Sequence, residues 1–233
     1  MAVEDSSKVY LTFEDGPTAN TEAILDILKA YDVKATFFVM GKEDEASMAI
    51  YKRIVDEGHT IGMHSHSNKY SVIYQSVDAF EDDYNKLQSL IYEATGVESK
   101  FYRFPGGSGN QISETPMGEF IQFLNEKGIV YYDWNVTSGD ATANAYSAEE
   151  IVANVTNDVV KYKTSVVLLH DGDSNSVTVE ALEPLLISLQ EMGAEVLPID
   201  EDTSVVQYMK ISVGKGNFTY QGILDLIATY LSK

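Results

Sequence analysis

The residues best suited to chemistry in this 233-residue chain gather where apolar runs end. Glu14 and Asp15 follow the run VYLTF (9–13). His64, Ser65 and His66 close TIGMHS (60–65) and the residue after it. Arg103 lies in KFYRF (100–104) and precedes Pro105-Gly106-Gly107. Asn135 falls in IVYYDWNV (129–136), with Asp140 shortly after, and His170 and Asp171 end SVVLLH (165–170). Three of the four histidines share this setting. Such a set suits metal-assisted hydrolysis. An Asp and a His hold a divalent ion with positions left open, and a neighbouring carboxylate takes a proton from water. A second His protonates the leaving group. An Arg orients the base as a bidentate partner, and an Asp keeps the acid His in one tautomer. Taken singly, Asp-Gly-Pro is also a common turn, and a strand-end His also bonds backbone. Convergence on one rim favours a shared site.

The elements that must hold these residues alternate. The short β-rich runs are 9–13, 34–41, 60–65, 100–104, 129–136, 165–170 and 194–199. Between them lie helical patterns at 20–31, 45–58, 77–96, 116–128, 148–162 and 178–193. Ser76 and Ser147 suit N-caps, and Gly58 and Gly96 suit C-terminal stops. Alternation of this kind predicts an α/β fold with parallel strands and right-handed crossovers. About seven strands predict a closed or nearly closed, distorted (β/α) barrel with its site at the strands' C-terminal ends. Residues 1–200 form this one domain. Residues 201–233, with the glycine-rich VGKGN (213–217) and the amphipathic YQGILDLIATYL (220–231), are expected to be an extension packed on it.

An apolar fraction of 44% supplies a sizeable core. With 16 basic against 36 acidic residues, the net charge of −20 repels phosphate backbones and anionic membrane faces. Nucleic acid is therefore an unfavourable partner, and neutral polymers or small neutral ligands stay open. The absence of cysteine excludes disulfides, thiolate metal sites and a cysteine nucleophile. No run reaches the roughly 20 apolar residues of a membrane span. MAVEDSSK has no signal-peptide core, so the expectation is a cytoplasmic protein or one whose leader is not in this chain.

With YLTFEDGP, IGMHSHSN, RFPGG, DWNVTSGDA and VVLLHD in this order, roughly residues 8–199 resemble the polysaccharide deacetylases, the NodB-homology domains of carbohydrate esterase family four. The resemblance implies a monomeric, extracellular or cell-surface hydrolase with a distorted (β/α) barrel. It would remove N-acetyl or O-acetyl groups from a polymer such as peptidoglycan, chitin or xylan. By position, Glu14 is implied as the base, Arg103 as its partner, His170 as the acid and Asp140 as the residue tuning it. Asp15, His64 and Asn68 fall on the ligand positions of a divalent metal, zinc or else cobalt or nickel. Pro105, Gly106, Trp134 and Leu168 fall where substrate would be contacted.

Three positions depart from the family pattern. Glu14 replaces an Asp, and a misplacement of about 1 Å costs on the order of a hundredfold in rate. Asn68 replaces a His, and a neutral amide oxygen is a poor zinc ligand. Ala141 stands in place of a Trp. His66 would join His64 on one face only if the strand continued past residue 64. The alternatives are therefore an inert carbohydrate-binding protein on the same scaffold, or a metallohydrolase of other substrates using His64 and His66. A glycosidase using Glu14 and Asp15 is disfavoured, because it needs two carboxyls facing each other about 5–9.5 Å apart.

Overall fold

The structure, a computed structural model, describes residues 7–142 and 146–211. The chain opens with strand β1 (Lys8–Glu14), helix α1 (Ala19–Ala30), β2 (Thr36–Met40), α2 (Glu45–Asp56) and β3 (Thr60–Ser65). A single-turn helix α3 (Tyr70–Ile73) and the long α4 (Val77–Thr95) lead to β4 (Phe101–Tyr102) and α5 (Met117–Glu126). Then come β5 (Val130–Tyr131), β6 (Val136–Thr137), α6 (Ala148–Val159), β7 (Thr164–His170), α7 (Ser176–Glu191) and β8 (Glu195–Val196). The helices start where their caps predict. Ser76 accepts from Ala79 N–H, and Ser147 and Glu150 form a reciprocal capping box. Gly96 takes the left-handed conformation that ends α4.

All pairings are parallel, and the strand order is β5-β4-β3-β2-β1-β7-β6. The sheet curls into a half-barrel. Alternation along each strand divides two cores. On β1, Val9, Leu11 and Phe13 face the helices, and Tyr10 joins Phe38, Phe101, Tyr132, Val166 and Ile199 inside the curl. On β7, Val167 and Leu169 face out; in the β4 run, Tyr102 and Phe104 do so. The same parity turns Thr12, Glu14, Arg103, Leu168 and His170 inward. The outer core is largely aromatic: Phe80 of α4 packs against Tyr102, Phe104, Phe120 and Phe123, which clamps α4 and α5 to the sheet.

The structure corrects the single strand expected over 129–136. Tyr132–Asn135 separate two short strands that lie on opposite edges of the sheet, so the barrel stays open there. Asn135 is consequently not a rim residue. Its amide donates to Thr164 O and accepts from Val166 N–H, which ties this crossing segment to β7. The last strand shrinks from 194–199 to two residues, because β8 meets only the start of β1 before Ile199 N–H bonds Thr36 Oγ1. Residues 203–209 are fastened to the segment leaving β5. Asp133 N–H bonds Val206 O, and Gln207 Nε2 bonds Tyr131 O. The expected glycine turn 213–217 and amphipathic stretch 220–231 lie outside the described residues. No helix among the described residues is long and apolar enough to cross a membrane.

The fourth histidine, His59, is buried between β2 and β3. Its Nδ1 accepts the Ala35 N–H at 3.1 Å and its ring meets Phe37 edge-on. Burial, helped by the positive charge of Lys34, pushes its pKa down to about 4. The folded state thus binds fewer protons than the unfolded chain between about pH 4 and 6.5, so this contribution to stability is full above that window and lost as pH falls through it. Wild-type unfolding free energy should lose up to about 3 kcal/mol more across this window than that of His59→Gln. Urea titrations of both proteins at several pH values measure the difference.

Candidate active site

The register of β1 against β7 pairs Glu14 with His170 at the ends of adjacent strands. His170 Nε2 lies 3.3 Å from Glu14 Oε1. On its other side Nδ1 lies 2.8 Å from Asp140 Oδ1, while Asp140 Oδ2 accepts from the His170 N–H and from the Thr178 hydroxyl. Burial disfavours a charged imidazole, but hydrogen bonds and charge from Asp140 and Glu14 outweigh it and raise the His170 pKa to about 10. Burial likewise disfavours the Glu14 carboxylate. His64, His170 and Arg103 outweigh that and hold it ionised, well below the usual carboxylate range. Glu14 Oε2 is buried without a hydrogen bond.

Arg103 is fully buried, and its geometry differs from the expected bidentate pair with Glu14. One edge, Nη1, comes to 3.5 Å of Glu14 Oε2. Its hydrogen bonds go instead to Thr12 Oγ1 at 2.7 Å, Tyr132 O and Asp133 O. The guanidinium plane lies 4.3 Å over the Phe38 ring. The open seam explains this: the carbonyls of the segment leaving β5 have no strand partner there and take the guanidinium. Thr12 passes the link on by donating to Val167 O.

Asp15 turns the chain with a φ of +80°. The next residue must be glycine, because a β-carbon on Gly16 would lie 2.1 Å from Asp171 Oδ2. Asp171 Oδ1 accepts the Gly16 N–H and Oδ2 accepts the Thr21 hydroxyl, so one buried carboxylate locks the β1 turn against the end of β7. Burial, opposed by those hydrogen bonds and aided by the charge of Asp15, raises the Asp171 pKa to about 7.

His64 Nδ1 meets Arg103 O at 2.9 Å and must carry the proton there, since a carbonyl only accepts. Its Nε2 then faces Asp15 Oδ1 at 3.7 Å and Glu14 Oε1 at 3.9 Å, a place that calls for positive charge. This donor set fits a divalent cation held by Asp15 and His64. Asn68, also at positive φ, turns its amide nitrogen to Asp15 Oδ1 at 2.9 Å and so serves that carboxylate as a donor. Acting as a ligand would require its carbonyl oxygen to swing in. His66 does not join this cluster. The chain turns after Ser65, and His66 lies beside Gly41 with Nε2 3.7 Å from Glu43. Among the described residues no three His, Asp or Glu side chains are placed to hold a metal together.

The remaining expected residues lie in the loop after β4, in the segment after β5 and on β7. Pro105 O accepts from the buried Tyr74 hydroxyl, and Gly106 and Gly107 both have positive φ. Trp134 packs edge-on against Tyr208 beside Gly107, and Leu168 lies one inward position below His170. Sequence reasoning missed Asp83, which receives Ser65 Oγ, His66 N–H, Ser67 N–H and Ser67 Oγ and thereby builds the turn that carries His64 and Asn68. The signal was there: Asp83 falls on the apolar face of α4, between Phe80 and Leu87. Asp133 is similar, accepting from Ser108 N–H and Tyr208 N–H. Thr12 and Asp171 were visible only as strand and turn residues.

A parallel half-barrel with the Glu14–His170 ion pair and the Asp15–His64 pair on its C-terminal rim is the architecture of the carbohydrate esterases that deacetylate polysaccharides. The catalytic domain of the peptidoglycan N-acetylglucosamine deacetylase from Eubacterium rectale superposes with a TM-score of 0.83 at 36% identity, covering 89% of this chain and 97% of that one. The family described as "Polysaccharide deacetylase" matches residues 2–120. A Bacillus cereus peptidoglycan-N-acetylglucosamine deacetylase is 32% identical over 80% of this chain and 67% of its own length. The chain belongs to the polysaccharide deacetylase family. Another similar structure, at 26% identity and a TM-score of 0.68 over 83% of this chain and 64% of that one, is described as a CE4-family pseudoenzyme from Bacillus anthracis.

Two changes test this cluster. Asn68→His should raise zinc affinity by about tenfold or more, because an imidazole replaces an amide; isothermal titration measures it. Asp83→Ala should cost about 3 kcal/mol in urea unfolding, because it strips the acceptors from a buried turn.

Proposed function

We propose that the protein is a metal-dependent polysaccharide deacetylase that hydrolyses N-acetyl groups, or O-acetyl groups, of a carbohydrate polymer. The glycan of peptidoglycan is the leading substrate, since that is what the relatives' names state. Chitin and xylan are the alternatives, and a monomer at the cell surface is the setting that fits such a polymer. The observation that carries the reading is His170, fixed by Asp140 on one nitrogen and facing Glu14 with the other. The charge state is the one hydrolysis needs at its start, with the base ionised and the acid protonated at neutral pH.

Family members generally depend on a metal. Held here by Asp15 and His64, a zinc, cobalt or nickel ion would polarise the acyl carbonyl and lower the pKa of water. The chain's own groups carry the protons. Glu14 takes a proton from the attacking water as its oxygen bonds the acyl carbon. His170 gives its Nε2 proton to the leaving nitrogen as the C–N bond breaks, and acetate and a free amine result. Asp140 keeps the proton on Nδ1 and stabilises the imidazolium. Arg103 holds positive charge behind Glu14. Because Glu14 and His170 contact each other directly, the substrate must part them on entry.

A second reading is an inert carbohydrate-binding protein. It is supported by the Asn68 amide donating to Asp15 and by the pseudoenzyme among the similar structures. Acetate release from acetylated chito- and xylo-oligosaccharides with added zinc, cobalt or nickel separates the two. Turnover should appear and should fall by about a hundredfold or more in His170→Ala and in Glu14→Gln, with unfolding curves near wild type. A folded wild type that releases no acetate with any of these metals overturns the enzyme reading.

A further inference from the structure

Tyr70, the first residue of α3, belongs to none of the five motifs, yet it stands at the site. A β-carbon on Gly106 would lie 3.0 Å from the Tyr70 hydroxyl and 3.3 Å from its ring. The phenol therefore fills the space that a side chain at 106 would take. Its neighbour Tyr74 is buried and donates to Pro105 O at 2.7 Å. Tyr70 is one-third exposed, and its hydroxyl has no hydrogen-bond partner among the described residues. Burial, then the charges of Glu14 and Asp15, raise its pKa, so the phenol keeps its proton. Across the glycine floor, Trp134 lies by Gly107 and packs against Tyr208. The glycine pair 106–107 thus lies between two aromatic pairs, Trp134 with Tyr208 beside Gly107 and Tyr70 with Tyr74 beside Gly106, and of the second pair the Tyr70 hydroxyl is the one left free.

We propose that Tyr70 is a substrate-contacting residue whose ring packs on a sugar of the acetylated polymer over the Gly106–Gly107 loop and whose hydroxyl donates a hydrogen bond to it. An unpartnered donor beside a bare backbone floor suits a neutral, hydroxyl-rich ligand, and the ring face suits the apolar face of a pyranose. This inference rests on the carbohydrate reading above. It deepens that reading by assigning recognition of the acetylated polymer to the loop after β3 rather than to the motif loop 103–107 alone.

Trp134, the only tryptophan, provides a binding signal independent of turnover. Titrating an N-acetylglucosamine oligomer should change its fluorescence. Tyr70→Phe should weaken binding threefold to tenfold, on the order of one lost hydrogen bond, and Tyr70→Ala should weaken it further. KM for acetate release should rise in parallel. The thermal midpoint of Tyr70→Phe should stay at the wild-type value, since the hydroxyl bonds nothing in the fold, and Tyr92→Phe on the exposed face of α4 should bind as wild type. If both Tyr70 variants bind and turn over like wild type, the assignment is wrong. Binding that weakens in the variants without acetate release from any of the proteins upholds Tyr70 and removes only the enzyme reading. A wild type that binds no oligomer overturns both.

Discussion

The parallel register of β1 and β7 is the constraint on which the site depends. These strands run side by side over seven residues each, and their last paired positions are Glu14 and His170. With a period of two, whatever turns Glu14 inward also turns in Thr12 and Tyr10, and the same holds for His170, Leu168 and Val166. A slip of one residue would send both side chains into the helix-facing core. Valine, leucine and phenylalanine at the alternate positions make that slip costly, so the packing outside the curl enforces the chemistry inside it.

Buried carboxylates then shape the loops. Asp171 locks the turn after β1, Asp83 the turn after β3, and Asp133 the loop after β4 together with residue 208. Each accepts several hydrogen bonds, at least one from a backbone N–H, which is how a buried carboxyl group becomes tolerable. A chain with a net charge of −20 thus spends some of its acids inside, as scaffolding for loops that must hold unusual dihedrals. The arrangement also separates roles within adjacent pairs. Glu14 faces the cleft whereas Asp15 turns with the loop, and His170 faces the cleft whereas Asp171 braces it.

The departures from the family pattern acquire a physical meaning. Glu14 carries one methylene more than the Asp of that pattern, and its carboxylate lies 3.3 Å from His170 Nε2. Asn68 occupies a left-handed position that asparagine adopts with little strain, and its amide satisfies Asp15.

Much of this was legible in the sequence. The α/β order, the caps at Ser76 and Ser147, the stop at Gly96 and the family membership all follow from local pattern and ordered motifs, because periodicity, capping and turn chemistry act over a few residues. Other features depended on contacts between segments far apart in the chain. That 129–136 breaks into two edge strands follows from where the sheet stops closing, and no residue in that run announces it. That Arg103 bonds Thr12 and two carbonyls, that His66 turns away, and that Tyr70 fills the gap above Gly106 depend on partners tens of residues distant. Sequence alone named the residue types that gather at the rim; only the folded sheet, through strand register and the direction of each side chain, decided which of them meet.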